Sequence, residues 1–267
     1  MLYQFDDVWL AAGARTPFVD YNGVFKDLSA TDLAIVAAKG ALDKAGMSPS
    51  LVDATIVGNV AQSSLDSYYL ARHVALYSGV AMDKPALIVN RICCSGFEAI
   101  IQGAVAIQQG SANVVLAGGT ESMSRTPIVA YGMRGGFRLG QVNFYDSLWE
   151  TLKDSATGLP MGMTAEKLAV QYEISRSEVD DFAAESFSRG LKAQKAGFFG
   201  DEIVPVTSSE HLLEGYATRS IKLPRGVKSV VADDHLRPTS KELLATLPAV
   251  FHGVQTAGNS SAIVDGA

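Results

Sequence analysis

The sequence predicts an α/β fold, a parallel sheet carrying one helix buried on all sides, followed by an irregular excursion and a return to the core. Three observations predict it. Strand-like and helix-like segments alternate through the first 120 residues at lengths that suit parallel pairing. The segment from Phe97 to about Gln109 reads as a helix with almost no polar face, which requires layers above and below it. After Glu121 the character changes, with no clear period from Arg125 to Asp154, and apolar character returns near the end of the chain at Ile263-Val264.

Taken in order, Val8–Ala12 is an apolar run expected to form a first strand, broken by Gly13 and by Arg15-Thr16-Pro17. Ser29 with Asp32 resembles a capping box with Asp in place of Glu. Leu33, Val36, Ala37, Gly40 and Ala41 then form a helical stripe that Gly46 can end. Thr55–Val60 reads as a second strand and Ser67–Tyr77 as a helix. Ala86–Asn90 is an apolar run leading straight into Arg91-Ile92-Cys93-Cys94-Ser95-Gly96, ahead of the apolar helix, and Asn113–Ala117 is a further strand ending in Gly118-Gly119. From Arg125 to Asp154 the chain is rich in Gly, Arg and aromatics without a period. Thr164–Tyr172 looks helical. Ser175-Arg176-Ser177-Glu178 is a full capping-box signature, and its helix runs to Gly197. Short strand-like pieces alternate with charged turns up to Pro248, and Gly253–Ala267 regains apolar character at Ile263-Val264. These changes place a core at 1–120, an inserted segment at 121–250 and a return to the core at 251–267.

Composition narrows the function classes. With 267 residues, 48% hydrophobic and 19% charged, the chain can bury a sizeable core and is not disordered. A net charge of −6 provides no overall basic field for nucleic acid or an anionic membrane. No run of about 18 apolar residues is present, so no membrane span is expected. Met1–Asp7 has no basic stretch followed by an apolar one, so it does not read as a signal peptide. The two cysteines, Cys93 and Cys94, are adjacent; such a pair rarely bridges and cannot staple distant segments, so a reduced, cytoplasmic protein is the expectation.

Those cysteines sit between an apolar strand and the start of the apolar helix. Backbone N–H groups point outward there and the helix dipole favours negative charge, so a thiolate, the nucleophilic form, is stabilised. Ser95 and Gly96 keep the turn small enough for a carbonyl to approach. The alternative is a pair of inert cysteines filling space in a core. These arguments favour Cys93 and Cys94 equally.

Asn90-Arg91-Ile92-Cys93-Cys94-Ser95-Gly96-Phe97-Glu98-Ala99-Ile100 resembles the active-site segment of thiolases, the acyl-CoA:acyl-CoA C-acyltransferases. The family pattern places the nucleophile three residues after the Asn, at Cys93. Cys94 stands where the family has Gly, Ala or Ser. Four further stretches match in order along the whole chain. They are Arg15-Thr16-Pro17 with Gly23, Ala117-Gly118-Gly119-Thr120-Glu121-Ser122-Met123-Ser124, Met161-Gly162-Met163-Thr164-Ala165-Glu166, and Thr256-Ala257-Gly258-Asn259-Ser260-Ser261.

The resemblance implies two similar βαβαβαββ halves in five layers, α/β/α/β/α, with the nucleophile helix in the middle layer. This chain would be the N-terminal half: a mixed sheet with the nucleophile helix, plus an inserted α+β loop domain that covers CoA. The implied reaction has the Cys93 thiolate take the acyl group of an acyl-CoA or 3-ketoacyl-CoA as a thioester, which CoA or a second acyl-CoA then accepts. CoA is a substrate, and no further cofactor is implied. By the same resemblance Arg237 aligns with a contact to the CoA nucleotide, where a guanidinium suits phosphate or stacks on adenine. Its alternative is a surface arginine paired with Asp233 or Asp234. Ser261 aligns with a serine near the pantetheine, against a loop serine bonded to its own backbone. Met161 aligns with a methionine of the acyl pocket, against plain packing. Pro160 replaces a His found in some members, and Ala262 a usual Gly.

The sequence also departs from the family. The Asn-Glu-Ala-Phe-like, Gly-His-Pro and Cys-x-Gly-Gly-Gly stretches of the second half do not occur, and none of His73, His211, His235 and His252 stands in a Gly-His-Pro context. Three expectations follow: a fragment of a longer enzyme, one subunit of a split thiolase completed by a C-terminal half, or a non-catalytic acyl-CoA-binding or scaffold subunit. The partners expected are acyl-CoA, CoA, and either a complementing half or further copies in a homo-oligomer. Glu121 reads as a buried carboxylate at a strand end rather than a catalytic one, and Asn90 as orienting the turn. Arg134–Tyr145, with Arg134 and Arg138 as its basic residues, reads as an oligomer contact or a loop face.

Overall fold

The computed structural model describes residues 4–267; Met1–Tyr3, the start of the stretch read above as lacking signal-peptide character, lie outside them. The chain forms two compact units. One comprises residues up to Thr126 with Asp201–Asp233 and Val264–Ala267; the other comprises Pro127–Gly200 and Asp234–Ile263. The division departs from the boundaries read in the sequence. Residues 201–233 join the first unit because Val206 and Ile221 are buried there with Val19, Phe25, Leu28 and Leu33. Residues 251–263 join the second.

In the first unit, β1 (Val19–Asp20) precedes α1 (Ala30–Ala45), β2 (Ala54–Gly58), α2 (Leu70–Tyr77), β3 (Ala86–Val89), α3 (Ser95–Gln108), β4 (Val115–Gly119) and β5 (Glu121–Ser122). The final strand, β6, is Val264–Gly266. The parallel sheet has the order β3-β2-β4, with Ile56 opposite Leu87 on one side and Ala117 on the other. Side chains alternate across it. Leu116 packs with Ala34, Ile35, Ala38, Leu70 and Val74 of α1 and α2. Val115 and Ala117 point the other way, against Gly103 of α3. The result is helix, sheet, helix. A second, antiparallel sheet, β1-β6-β5, pairs Val19 with Asp265 and Ser122 with Asp265. Residues 206–207 and 229–230, and 209–211 and 219–221, form two short hairpin pairings.

The caps follow the sequence, with one instructive variation. The Ser29 hydroxyl accepts the Asp32 N–H, but of the Ser29 donors the Asp32 carboxylate reaches the hydroxyl, at 2.6 Å, and not the N–H. Glu178, one methylene longer, reaches both the Ser175 N–H at 2.8 Å and its hydroxyl, completing the box. Gly46 ends α1 in the left-handed conformation.

Two expectations are corrected. Residues 8–12 form no strand, and Trp9 and Leu10 are 83% and 82% exposed. A strand exists only through its ladder, and no described residue pairs with this run. The helix α3 is not buried on all sides. Ser95, Ala99, Gly103 and Ala104 are buried against the sheet, while Phe97 and Ile100 are 71% and 41% exposed, because among the described residues a single sheet covers it.

In the second unit, α4 (Met161–Gln171) begins earlier than the periodicity predicts and is followed by α5 (Arg176–Lys195) and a short helix at Lys241–Ala245. Its centre is polar. Asp180, 1% exposed, accepts from Arg176 and from Asn259, and Arg176 also donates to the Leu244 and Leu247 carbonyls. Glu166 accepts the Val254 and Gln255 N–H groups, both at 2.8 Å. These bonds satisfy backbone groups that lie outside the unit's two short strand pairings, 128–129 with 145–146 and 153–154 with 159–160. Among the described residues no helix is long and apolar enough to cross a membrane.

Candidate active site

The Cys93 turn is built where β3 ends and α3 begins. Ile92 adopts φ +51°, a left-handed conformation that a β-branched side chain rarely takes. Three hydrogen bonds hold it there. The Ile92 N–H donates to Asn90 Oδ1 at 3.0 Å, the Ser95 hydroxyl donates to the Ile92 carbonyl at 2.6 Å, and the Arg91 N–H donates to the same hydroxyl at 2.9 Å. Asn90 thus orients the turn, as its position in the sequence suggests. Cys94, at φ −90° and ψ 8°, is the residue before the helix, and both thiols are exposed. They are not the space-filling core pair that the sequence left open.

The helix start lies directly on the ends of two strands. A Cβ on Gly58 would stand 2.5 Å from the Ser95 carbonyl carbon and oxygen, and one on Gly119 would stand 3.2 Å from the Gly96 Cα. The glycines at the ends of β2 and β4 therefore let the turn settle onto the sheet. Gly96, read in the sequence as room for a substrate, would itself meet nothing with an added Cβ. Beyond the turn, the Gly96 and Phe97 amides have no hydrogen-bond acceptor among the described residues. They are two unpaired donors at a helix N-terminus. The Arg91–Glu98 pair, at 2.7 Å, lies beside them, and Gln102 and Arg91 hold the Glu98 carboxyl below its ordinary value.

Glu121 fixes the same strand ends from below. Its carboxylate accepts from the Val60 and Ala61 N–H groups and from Asn59. Burial raises its pKa against these bonds. It is half-buried and binds backbone N–H groups, as a structural carboxylate at a strand end does.

The other three sequence-derived candidates lie in the second unit. Met161 opens α4 and is 45% exposed. Arg237 is exposed, with its guanidinium carbon 5.1 Å from the centre of the Phe187 ring; that ring also packs on His235 at 5.7 Å. Asp233, the partner considered for Arg237, is engaged by Arg15 at 2.7 and 2.9 Å. The Ser261 hydroxyl is exposed and free of hydrogen bonds among the described residues; its neighbour Ser260 is the one that turns back, onto the Thr256 carbonyl. Sequence reasoning missed the strain at Ile92 and the role of Gly58. The glycines closing both neighbouring strands were the available signal.

The strain has a measurable consequence. Asn tolerates the left-handed region, and Ile92 is 54% exposed, so Ile92→Asn sacrifices little burial. The variant is expected to be more stable by about 1 kcal/mol, read as a raised urea midpoint. A lowered midpoint would show that Ile92 is not strained in this turn.

Residues 8–267 match the family model described as thiolase, N-terminal domain. The chain is 46% identical to human mitochondrial 3-ketoacyl-CoA thiolase over 97% of its own length and 63% of that protein's. It is 37% identical to acetyl-CoA acetyltransferase of Schizosaccharomyces pombe over 98% of its length and 64% of that protein's. The crystal structure of the human mitochondrial enzyme in complex with CoA superposes with a TM-score of 0.88 at 45% identity, covering 96% of this chain and 62% of that one. The chain thus spans rather less than two thirds of the relatives it matches. With these matches spread over the strands, the cysteine turn and the inserted unit alike, the chain belongs to the thiolase family.

Proposed function

We propose that the chain is the acyl-accepting half of a thiolase-type C-acyltransferase, with Cys93 as the nucleophile. The observation that carries the reading is an exposed thiol on a strained, hydrogen-bonded turn at a helix start, beside two unpaired amide donors. The Cys93 thiolate attacks the thioester carbonyl of an acyl-CoA. The carbon–sulfur bond to CoA breaks, CoA leaves as its thiolate, and the acyl group stays on Cys93 as a new thioester. Met161 then contacts the acyl chain, Arg237 the CoA nucleotide and Ser261 the pantetheine. The exposed guanidinium stacked on Phe187 and the unpaired Ser261 hydroxyl support those two assignments, and the solved relative carrying CoA supports the choice of ligand. Two free cysteines support a reducing compartment, the cytoplasm.

Carbon–carbon bond making or breaking needs an acid/base partner, and the Gly-His-Pro and Cys-x-Gly-Gly-Gly motifs that would provide one are absent from these 267 residues. A complementing C-terminal half provides it, and the exposed Phe97 and Ile100 on α3 offer a face for that half to cover. The purified chain is therefore expected to show no thiolysis of acetoacetyl-CoA. Incubation with acetyl-CoA is expected to leave an acetyl group on the peptide containing Cys93 by mass spectrometry, and none in Cys93→Ala. Thiolysis by the chain alone would refute the need for a second half; no adduct on Cys93 would favour the second reading, a non-catalytic acyl-CoA-binding or scaffold subunit, which the missing motifs support.

A further inference from the structure

Cys94 has no part in the chemistry above, yet it places a second exposed thiol directly beside the nucleophile. We propose that Cys94 is a resolving thiol: when peroxide oxidises Cys93, the two sulfurs close a disulfide between adjacent residues, which shields Cys93 from irreversible oxidation. The inference rests on Cys93 being the more reactive thiol, and its test is independent of acyl transfer.

The chemistry balances as follows. The Cys93 thiolate attacks hydrogen peroxide, the O–O bond breaks, hydroxide leaves, and the sulfur becomes a sulfenic acid. The Cys94 sulfur then attacks the sulfenic sulfur. An S–S bond forms, the S–O bond breaks, and water leaves with the thiol proton. An added dithiol such as dithiothreitol reverses the change by thiol–disulfide exchange, and both thiols return. Without a neighbouring thiol, further peroxide carries Cys93 to the sulfinic acid, which dithiothreitol does not reduce.

The geometry favours a bond that is reduced readily. Adjacent Cα atoms lie about 3.8 Å apart, short of the roughly 4.4–6.8 Å that relaxed disulfides span, so the ring is strained and reducible. The strain falls on the turn ahead of α3. The Cys93–Cys94 peptide precedes the first residue of α3, and its N–H makes a 3.2 Å bond to the Arg91 carbonyl. The Cys94 carbonyl accepts the Glu98 N–H at 2.9 Å, the first bond of α3, so closing the ring strains that bond as well. Both thiols face solvent, so peroxide and reductant reach them. The chain has two cysteines in all, so any disulfide within one chain is this one.

The test is a peroxide titration of the full chain, followed by intact mass before and after dithiothreitol and by counting thiols that iodoacetamide alkylates. The wild-type chain is expected to lose about 2 Da as a monomer and to recover two alkylatable thiols on reduction. Cys94→Ala is expected to gain about 32 Da at the same dose and not to recover. A wild-type chain that gains oxygen with no loss of 2 Da at any dose overturns the proposal. So does a disulfide found only between two chains on a non-reducing gel. The wild-type result decides even if the variant fails to fold.

Discussion

Gly58→Ala is expected to destabilise the first unit by about 3 kcal/mol, at the upper end of the cost of forcing one methyl group into a packed site. The added Cβ would lie 2.5 Å from both the carbonyl carbon and the oxygen of Ser95, and 2.8 Å from its Cβ. Two of those three atoms are backbone, so no rotamer change relieves the clash. Either β2 or the start of α3 must move. A shift of Ser95 pulls on the hydroxyl that holds Arg91 and Ile92, and so on the turn that presents Cys93. The same substitution is therefore expected to change the rate of iodoacetamide alkylation at Cys93. Gly118→Ala, one residue from the equivalent end of β4, is the control, because a Cβ there meets nothing within 4 Å. Equal urea midpoints for the two variants would remove Gly58 from the account of the turn.

How far the sequence reaches is clear from this corner of the molecule. The strands β2, β3 and β4 and the helix α3 were legible because continuous apolar runs and glycine stops report backbone pattern directly. The site residue was legible only through a motif, since a helix start favours Cys93 and Cys94 alike. The left-handed Ile92 was not legible: a β-branched residue is the last choice for that conformation, and three local hydrogen bonds among Asn90, Arg91, Ile92 and Ser95 override its preference. Val8–Ala12 was misread for a different reason. A short apolar run records a capacity to pair, and pairing depends on a neighbour that no local pattern specifies. The assignment of residues 201–233 to the core was hidden in the same way, because it rests on Val206, Ile221 and Arg219 meeting residues almost two hundred positions earlier.

Arg219 carries the second large effect. It projects from a short hairpin strand, donates to Asp32 at 2.8 Å and to Asp66 at 2.6 Å, and lies over the Tyr77 ring at 5.5 Å. The three charged side chains are 14–20% exposed. Arg219→Met keeps much of the stem's packing but leaves two half-buried carboxylates facing each other without a cation. The expected loss is about 3 kcal/mol, the lower end for a broken buried pair. Asp32→Asn added to Arg219→Met is expected to recover part of it, since one uncompensated charge is then gone. The pH dependence gives an independent reading. Burial pushes the Asp66 carboxyl up, but the Ser64 hydroxyl, Arg219 and His73 outweigh it and hold it at about 2. The unfolded chain takes up this proton at a higher pH than the folded one. The stabilisation is therefore complete above the ordinary carboxylate range and fades as pH falls toward 2. It amounts to about 2 kcal/mol before allowance for solvent screening. In Arg219→Met the loss of stability between pH 5 and pH 2 is expected to be smaller than in the wild type. Parallel wild-type and variant curves across that range would show that Arg219 does not hold Asp66 down, and that the hairpin is kept on the core by Val206 and Ile221 alone.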